Sequence, residues 1–297
     1  MDHLRFVRPS GVAVEVTCAG LQLVGHLRQR IAHCLRVPDG LEVELLTQDG
    51  GRLVDWSVIS ELTPGVVTVI LLSDPLEARI AHSLGEEHFI DLIDAATITL
   101  SLKGLHRLPA SIGSLTKLTS LSICNNNLAS LPETFGHLTS LATLFIYGNQ
   151  LTSLPETFDK LASLESLYIY CNHLVSLPDT FGQLTCLAIF NISNNRLASL
   201  PETFGKLTSL TMLDIEYNQL PSLPEMFGRL ARLSGLYIYC NHLASLPDTF
   251  GLLASLANLQ ILGNLLASLP ESFGQLTRLA GLNISDNRLA SLPDTFG

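Results

Sequence analysis

From Leu118 onward the chain repeats one pattern every 23 residues with no insertion or deletion, and this register constrains the fold more than any other feature of the sequence. The unit reads LxxLxIxxNxLxSLP(E/D)xFGxLxx and starts at Leu118, Leu141, Leu164, Leu187, Leu210, Leu233, Leu256 and Leu279. One unit of this size cannot bury its own apolar residues, so successive units must stack and share a core. Position within the unit then decides the role of each residue.

Positions 4 and 6 are apolar and alternate with polar ones: in LTSLSICNNNL, Leu121 and Ile123 face the core while Ser122 and Cys124 face out, as in a short strand. Position 9 is Asn in every regular unit, from Asn126 to Asn287, where the strand must turn. An amide both donates and accepts, so a stacked row of Asn satisfies backbone groups that a buried turn would strand. Phe135, Phe158, Phe181, Phe204, Phe227, Phe250, Phe273 and Phe296 share position 18 and are expected to stack as a spine behind the strands. Pro132 and its equivalents are expected at the first residue of the convex segment, followed by an acid such as Glu133 at the positive end of a helical turn.

This unit resembles the leucine-rich repeat, in the 23-residue intracellular form of plant Ras-group-related and Ras-suppressor-like proteins, over about two thirds of the chain. The resemblance implies an α/β fold, a curved solenoid with a parallel sheet on its concave side. It names no ligand.

LYIYCNHL occurs twice, at Leu167–Leu174 and Leu236–Leu243, and its Cys and His invite a metal reading. The two copies are three units apart, about 14 Å at ~4.8 Å per strand, and each offers one Cys and one His where zinc needs three or four ligands. The motif is read as architecture that carries a surface. If positions 5, 7, 8 and 10 face the concave side, that surface holds all six tyrosines of the protein. Its residues are Phe145, Tyr147, Tyr168, Tyr170, His173, Asn191, Arg196, Asp214, Glu216, Tyr217, Tyr237, Tyr239 and His242. Tyrosine combines large contact area with a hydroxyl and few rotors, so the face suits a protein or peptide partner with some basic groups.

Residues 1–72 lack the repeat. LRFV, VAVEVT, a helical stretch from Leu21 to Arg36, LEVELL and VVTVILL give an α+β order that resembles a ubiquitin-like β-grasp domain, with TQDGGRLVDWSVISELTPGVVTVILL the most similar stretch. The last strand runs into Ser73, Asp74 and Pro75 rather than a di-glycine tail, so the resemblance implies a docking module, with Ile70 in an apolar patch and a ubiquitin-pathway or signalling partner, rather than a conjugated modifier. Residues 73–94 are expected to form a helical linker and cap, with Asp74 as N-cap and Pro75 at the first turn. The solenoid follows over 95–297, opening on a degenerate unit with Lys103 at the Asn position and Ile112 at the Phe position.

Composition narrows the function. A net charge of −10 disfavours nucleic acid and anionic membranes, and no apolar run is long enough to insert in a bilayer. Six unpatterned Cys and a charged start without a secretory h-region point to the cytoplasm, against two formal glycosylation sequons at Asn191 and Asn283. His82, Glu86, Glu87 and His88 lack zincin spacing, and no GxxxxGK(S/T) or GxSxG occurs, so no catalytic residue, cofactor or metal is expected. The final unit stops at SLPDTFG, four residues short and without a polar cap, which suggests a fragment or a covered end with Ile284, Leu289, Leu292 and Phe296 partly bare. The expectation is a non-enzymatic scaffold; the alternative is the recognition half of a longer ubiquitin-pathway or signalling enzyme.

Overall fold

The computed structural model describes residues 3–7, 13–17, 42–46, 68–72, 89–101 and 104–296. The chain divides into two compact units, Met1–Leu92 and Ile93–Gly297. In the first, β1 (His3–Val7) pairs antiparallel with β2 (Ala13–Thr17), and β3 (Glu42–Leu46) with β4 (Thr68–Leu72). The expected helix from Leu21 to Arg36, and the stretch from Asp74 through His82, Glu86, Glu87 and His88, lie outside the described residues, as does Lys103.

In the second unit, nine three-residue strands form one parallel sheet in strict sequence order. They are β5 (Thr97–Thr99), β6 (Ser120–Ser122), β7 (Thr143–Phe145), β8 (Ser166–Tyr168), β9 (Ile189–Asn191), β10 (Met212–Asp214), β11 (Gly235–Tyr237), β12 (Asn258–Gln260) and β13 (Gly281–Asn283). Each strand spans positions 3 to 5, with position 4 turned inward. Behind it, the unit starting at Leu164 buries Leu167, Ile169, Leu174, Leu177, Phe181 and Leu184, and every interior unit repeats this layer. The shared core runs the length of the stack because no unit closes on itself.

The buried asparagines tie each unit to its neighbour. Asn172 Nδ2 donates to Ile169 and Tyr170 carbonyls in its own unit and to Ile146 in the unit before, while its Oδ1 accepts Leu151 N–H. The same four contacts recur at Asn126, Asn149, Asn195, Asn218, Asn241, Asn264 and Asn287. The expected ladder is therefore present, and it satisfies buried carbonyls that no strand partner reaches.

The convex segments are 3-10 turns such as Glu133–His137 and Asp179–Gln183. Pro132 and its equivalents sit at the N-cap, one place before the first helical position expected from the sequence, with extended ψ near 150°. Their prolines close each turn by accepting from the Phe N–H, as Pro132 does from Phe135. The position-18 rings stack unit on unit, with centroids 5.9 to 6.3 Å apart. On the opposite, exposed side of the sheet, rings in adjacent units are only 4.9 and 4.4 Å apart. Wider spacing behind the strands than in front of them bends the stack, with the sheet on its concave side. At the last unit Leu292 is 46% exposed and Phe296 38%.

One convex turn breaks the pattern. A Cβ on Gly136 would lie 2.2 Å from the Thr157 carbonyl, and one on Gly182 2.0 Å from that of Thr203, so close packing of turns requires Gly at position 19. Asp159 stands there instead. Where position 17 is Thr or Ser in the other regular units, its hydroxyl donates to the position-16 carbonyl of the preceding unit, as Thr157 does to Glu133 and Thr203 to Asp179. Thr180, which faces Asp159 in this scheme, has a buried Oγ1 with no partner. The Asp159 Cβ, which the Gly of the other turns lacks, is the difference that accounts for that unmade bond. Asp159→Gly is expected to raise the thermal midpoint by restoring a bond worth ~0.5–1.5 kcal/mol, whereas Asp159→Ala, which keeps the Cβ, is expected to leave it unchanged. Differential scanning calorimetry of the two variants checks this, and an equal gain in both contradicts it.

Candidate functional site

Strand parity turns positions 3 and 5 to the exposed side of the sheet, and position 7 continues that side past the strand. Two groups of aromatic rings result. In the first, Phe145 stacks on Tyr168 at 4.9 Å and Tyr147 on Tyr170 at 4.4 Å, with interplanar angles of 12° and 7°. In the second, Tyr217 meets the edge of Tyr239 at 5.4 Å and 78°, and Tyr237 accepts a hydrogen bond from Asn258 Nδ2. Between them lies a polar strip in which Asn191 Nδ2 donates to Asp214 Oδ2 at 2.9 Å.

The phenols are held neutral. Hydrogen bonding to the Cys124 thiol, then its charge, raises Tyr147, while burial pushes Tyr170 up to about 12. Hydrogen bonding to Cys240 raises Tyr217, and hydrogen bonding to the Glu216 carboxylate, followed by burial, raises Tyr239. All four stay protonated hydroxyls, their protons held by neighbouring groups of the same face. Asp214 is pushed up to about 6, first by burial and then by the neighbouring Glu216 charge.

Position 8 lies in the left-handed region throughout: φ is 53° at Asn125, 67° at Gly148, 53° at Cys171, 51° at Asn194, 49° at Tyr217, 52° at Cys240, 63° at Gly263 and 53° at Asp286. Gly, Asn and Asp tolerate this conformation; a bulky aromatic does not do so without strain of ~1–2 kcal/mol. Tyr217 is nonetheless 50% exposed there. Its ring is placed against the local backbone preference, in front of Tyr239.

The remaining expected site residues stand apart from the rings. His173 Nδ1 is 3.0 Å from its neighbour's Asn172 carbonyl, and Arg196 and His242 make no side-chain hydrogen bond or ion pair among the described residues. All three follow the bend at Asn and belong to the returning segment rather than the strand. Sequence reasoning missed position 3, where Ile189 and Met212 join the face, Met212 at 37% exposure. Counting back from the inward Leu at position 4 by strand parity finds them. The left-handed turn is also visible as a column rich in Gly, Asn and Asp.

Neither copy of LYIYCNHL assembles a metal site, and no group of three potential metal ligands occurs among the described residues. Asn191 Oδ1 accepts from both the N–H and Oγ of Ser193, while one N–H of its Nδ2 binds Asp214.

Comparison with known proteins follows the same register. The family model for a leucine-rich repeat region matches residues 100–194 and 179–285, together more than half of the chain. The chain belongs to the leucine-rich repeat family. Among solved structures, a leucine-rich repeat protein of Leptospira interrogans is 31% identical over 65% of this chain and 49% of its own, with a TM-score of 0.61. The plant peptide hormone receptor RGFR1 in complex with RGF2 is 32% identical over 63% of this chain and 30% of its own, with a TM-score of 0.56. The leucine-rich repeat domain of the type III effector XopL, at 24% identity and a TM-score of 0.62 over 69% of this chain and 74% of its own, shares the fold. The chain thus spans about half the length of the Leptospira protein and under a third of the receptor. No curated protein matches it. Leucine-rich repeat folds typically mediate protein–protein interaction, and no described helix is long and apolar enough to cross a membrane.

The raised Asp214 makes a pH prediction for this repeat face. Its folded value near 6 lies above the ordinary 3.8, so the folded state holds the proton over a window where the unfolded state has lost it. Stability contributed by this group therefore increases as pH falls through about 6 toward 4 and is absent above it. Asp214→Asn is expected to raise the midpoint at neutral pH and to flatten the gain on acidification. Thermal melts of both proteins across that window check it; parallel pH profiles contradict it.

Proposed function

We propose that the concave repeat face binds a protein or peptide without catalysis, and that the N-terminal unit is a ubiquitin-like β-grasp domain that docks a second partner of the ubiquitin or signalling machinery. The observation that carries the first part is the placement of Tyr217: a strained, half-exposed aromatic has no folding rationale at a position where the same chain elsewhere uses only the small residues Gly, Asn, Asp or Cys. The rings of Phe145, Tyr147, Tyr168 and Tyr170 supply a second contact area of the amphipathic type enriched in hot spots. RGFR1, the similar plant receptor, is bound to RGF2, which is in keeping with a peptide ligand. His173, Arg196 and His242 are assigned to the rim, where polar groups set register, and Asn191 to the polar strip between the ring groups.

The two antiparallel strand pairs, β1 with β2 and β3 with β4, accord with a β-grasp order, and β1 and β4 approach within 8 Å. Cytoplasmic residence fits the free thiols of Cys171, Cys186 and Cys240, which a reducing compartment would keep. The recognition half of a larger enzyme remains the second reading, and it places the same partner on the same face.

Affinity capture followed by mass spectrometry, comparing the natural chain with a Tyr168, Tyr170, Tyr237 and Tyr239 to Ala variant, is expected to lose one protein from the variant alone. Tyr217→Asn is expected to match or exceed the natural stability, because Asn accepts the left-handed turn, while weakening that capture about tenfold. Identical captures by all three proteins would refute the concave-face reading.

A further inference from the structure

The exposed rows of the sheet carry charge at one place. Positions 3, 5 and 7 of all eight regular units hold no Lys or Arg and two acids, Asp214 and Glu216, both on the unit that begins at Leu210. They lie two residues apart, in and just after β10, so they face the same way. The contacts they make are neutral: Asn191 Nδ2 and the Glu216 backbone N–H to Asp214, and the Tyr239 hydroxyl to Glu216. Among the described residues the one ion pair is Lys117 with Asp94, over four units away. The sheet face therefore holds a negative charge at mid-length that nothing within the repeat unit neutralises.

The walls of this spot are aromatic. The next strand presents Tyr237 and Tyr239, and Tyr217 stands edge-on to Tyr239 from the acids' own unit. Ring faces attract cations, and a carboxylate beside such rings binds an organic cation better than either group alone. A hard divalent ion is a poor fit, since it requires six or more oxygen ligands and the Asp214 oxygens already accept two N–H groups.

Resting on the concave-face reading, we infer that the Asp214–Glu216 pair, walled by Tyr217, Tyr237 and Tyr239, seats an arginine or lysine side chain of an extended peptide segment. The first ring group sets the reach of that segment. Tyr168 and Tyr170 lie three strands from Tyr237 and Tyr239, about 14 Å at ~4.8 Å per strand, which an extended chain spans in about four residues. The partner thus carries a basic residue for the acids and an apolar or aromatic residue, a few positions away, for the stacked rings of Tyr147 and Tyr170. Charge complementarity selects the first and ring stacking the second.

The test uses the full chain and a phage-displayed library of random linear peptides. Selection on the natural protein is expected to enrich Arg or Lys together with a nearby apolar residue. On Asp214→Asn/Glu216→Gln, whose substitutions keep side-chain shape and remove the charge, the basic preference is expected to vanish while the apolar one persists. A selected peptide is expected to bind this variant about tenfold or more weakly, and replacing its basic residue by Gln is expected to weaken binding to the natural protein but not, further, to the variant. Thermal midpoints confirm that the variants are folded. Equal basic enrichment on both proteins, but none on the Tyr168, Tyr170, Tyr237 and Tyr239 to Ala variant, overturns the cation seat and leaves the concave-face reading standing. Enrichment unchanged on all three overturns both.

Discussion

The asparagine at position 9 is the contact on which the repeat unit depends. Its amide makes four hydrogen bonds in a buried setting, two within its own unit and two to the unit before, where an unmade bond costs ~1–3 kcal/mol. A shift of one residue between units would remove both bonds that cross the boundary. This explains why the 23-residue spacing is kept without exception while positions 5, 7 and 8 vary freely. Apolar burial supplies most of the driving force, but leucines are interchangeable neighbours, and the amide row sets which unit meets which at what register.

Two consequences follow from that row. The bend that brings Asn inward puts position 8 into the left-handed region, so the residue there is chosen either for backbone ease or for what it presents. The stack also bends, because Phe rings behind the sheet need more room than strands in front of it, while the strand spacing itself sets ring pairs on the sheet face at 4.4 and 4.9 Å. Aromatic residues on adjacent strands are pressed into contact without buried packing of their own, which leaves rigid, half-exposed rings ready for a partner.

Much of this was legible in the sequence, because a repeat lets each position be read eight times. The Asn row, the Phe spine, the inward Leu at position 4 and the outward Tyr all follow from the column pattern. Asp159 in the Gly column was equally visible, yet its meaning depends on how closely two turns approach, which one chain segment read alone does not reveal. Met212 and Ile189 were passed over because their column is mixed in chemistry and only strand parity places it on the face. The N-cap position of Pro132 differs by one residue from expectation, since a 3-10 turn closes sooner than an α-helix and starts at Glu133. His173, Arg196 and His242 share a column with no common chemistry, and the bend at Asn separates them from the strand.

The most direct test of the account uses a property of the composition: all six tyrosines of the protein occupy positions 5, 7 and 8 of the repeat. Ring-labelled tyrosine in an otherwise unlabelled chain makes nuclear magnetic resonance report on that face alone. On saturation with a partner recovered by capture, the account predicts shifts or broadening at several of the six ring signals, with Tyr217 and Tyr239 among them. Saturation with all six signals unmoved would place the partner elsewhere on the molecule and contradict it.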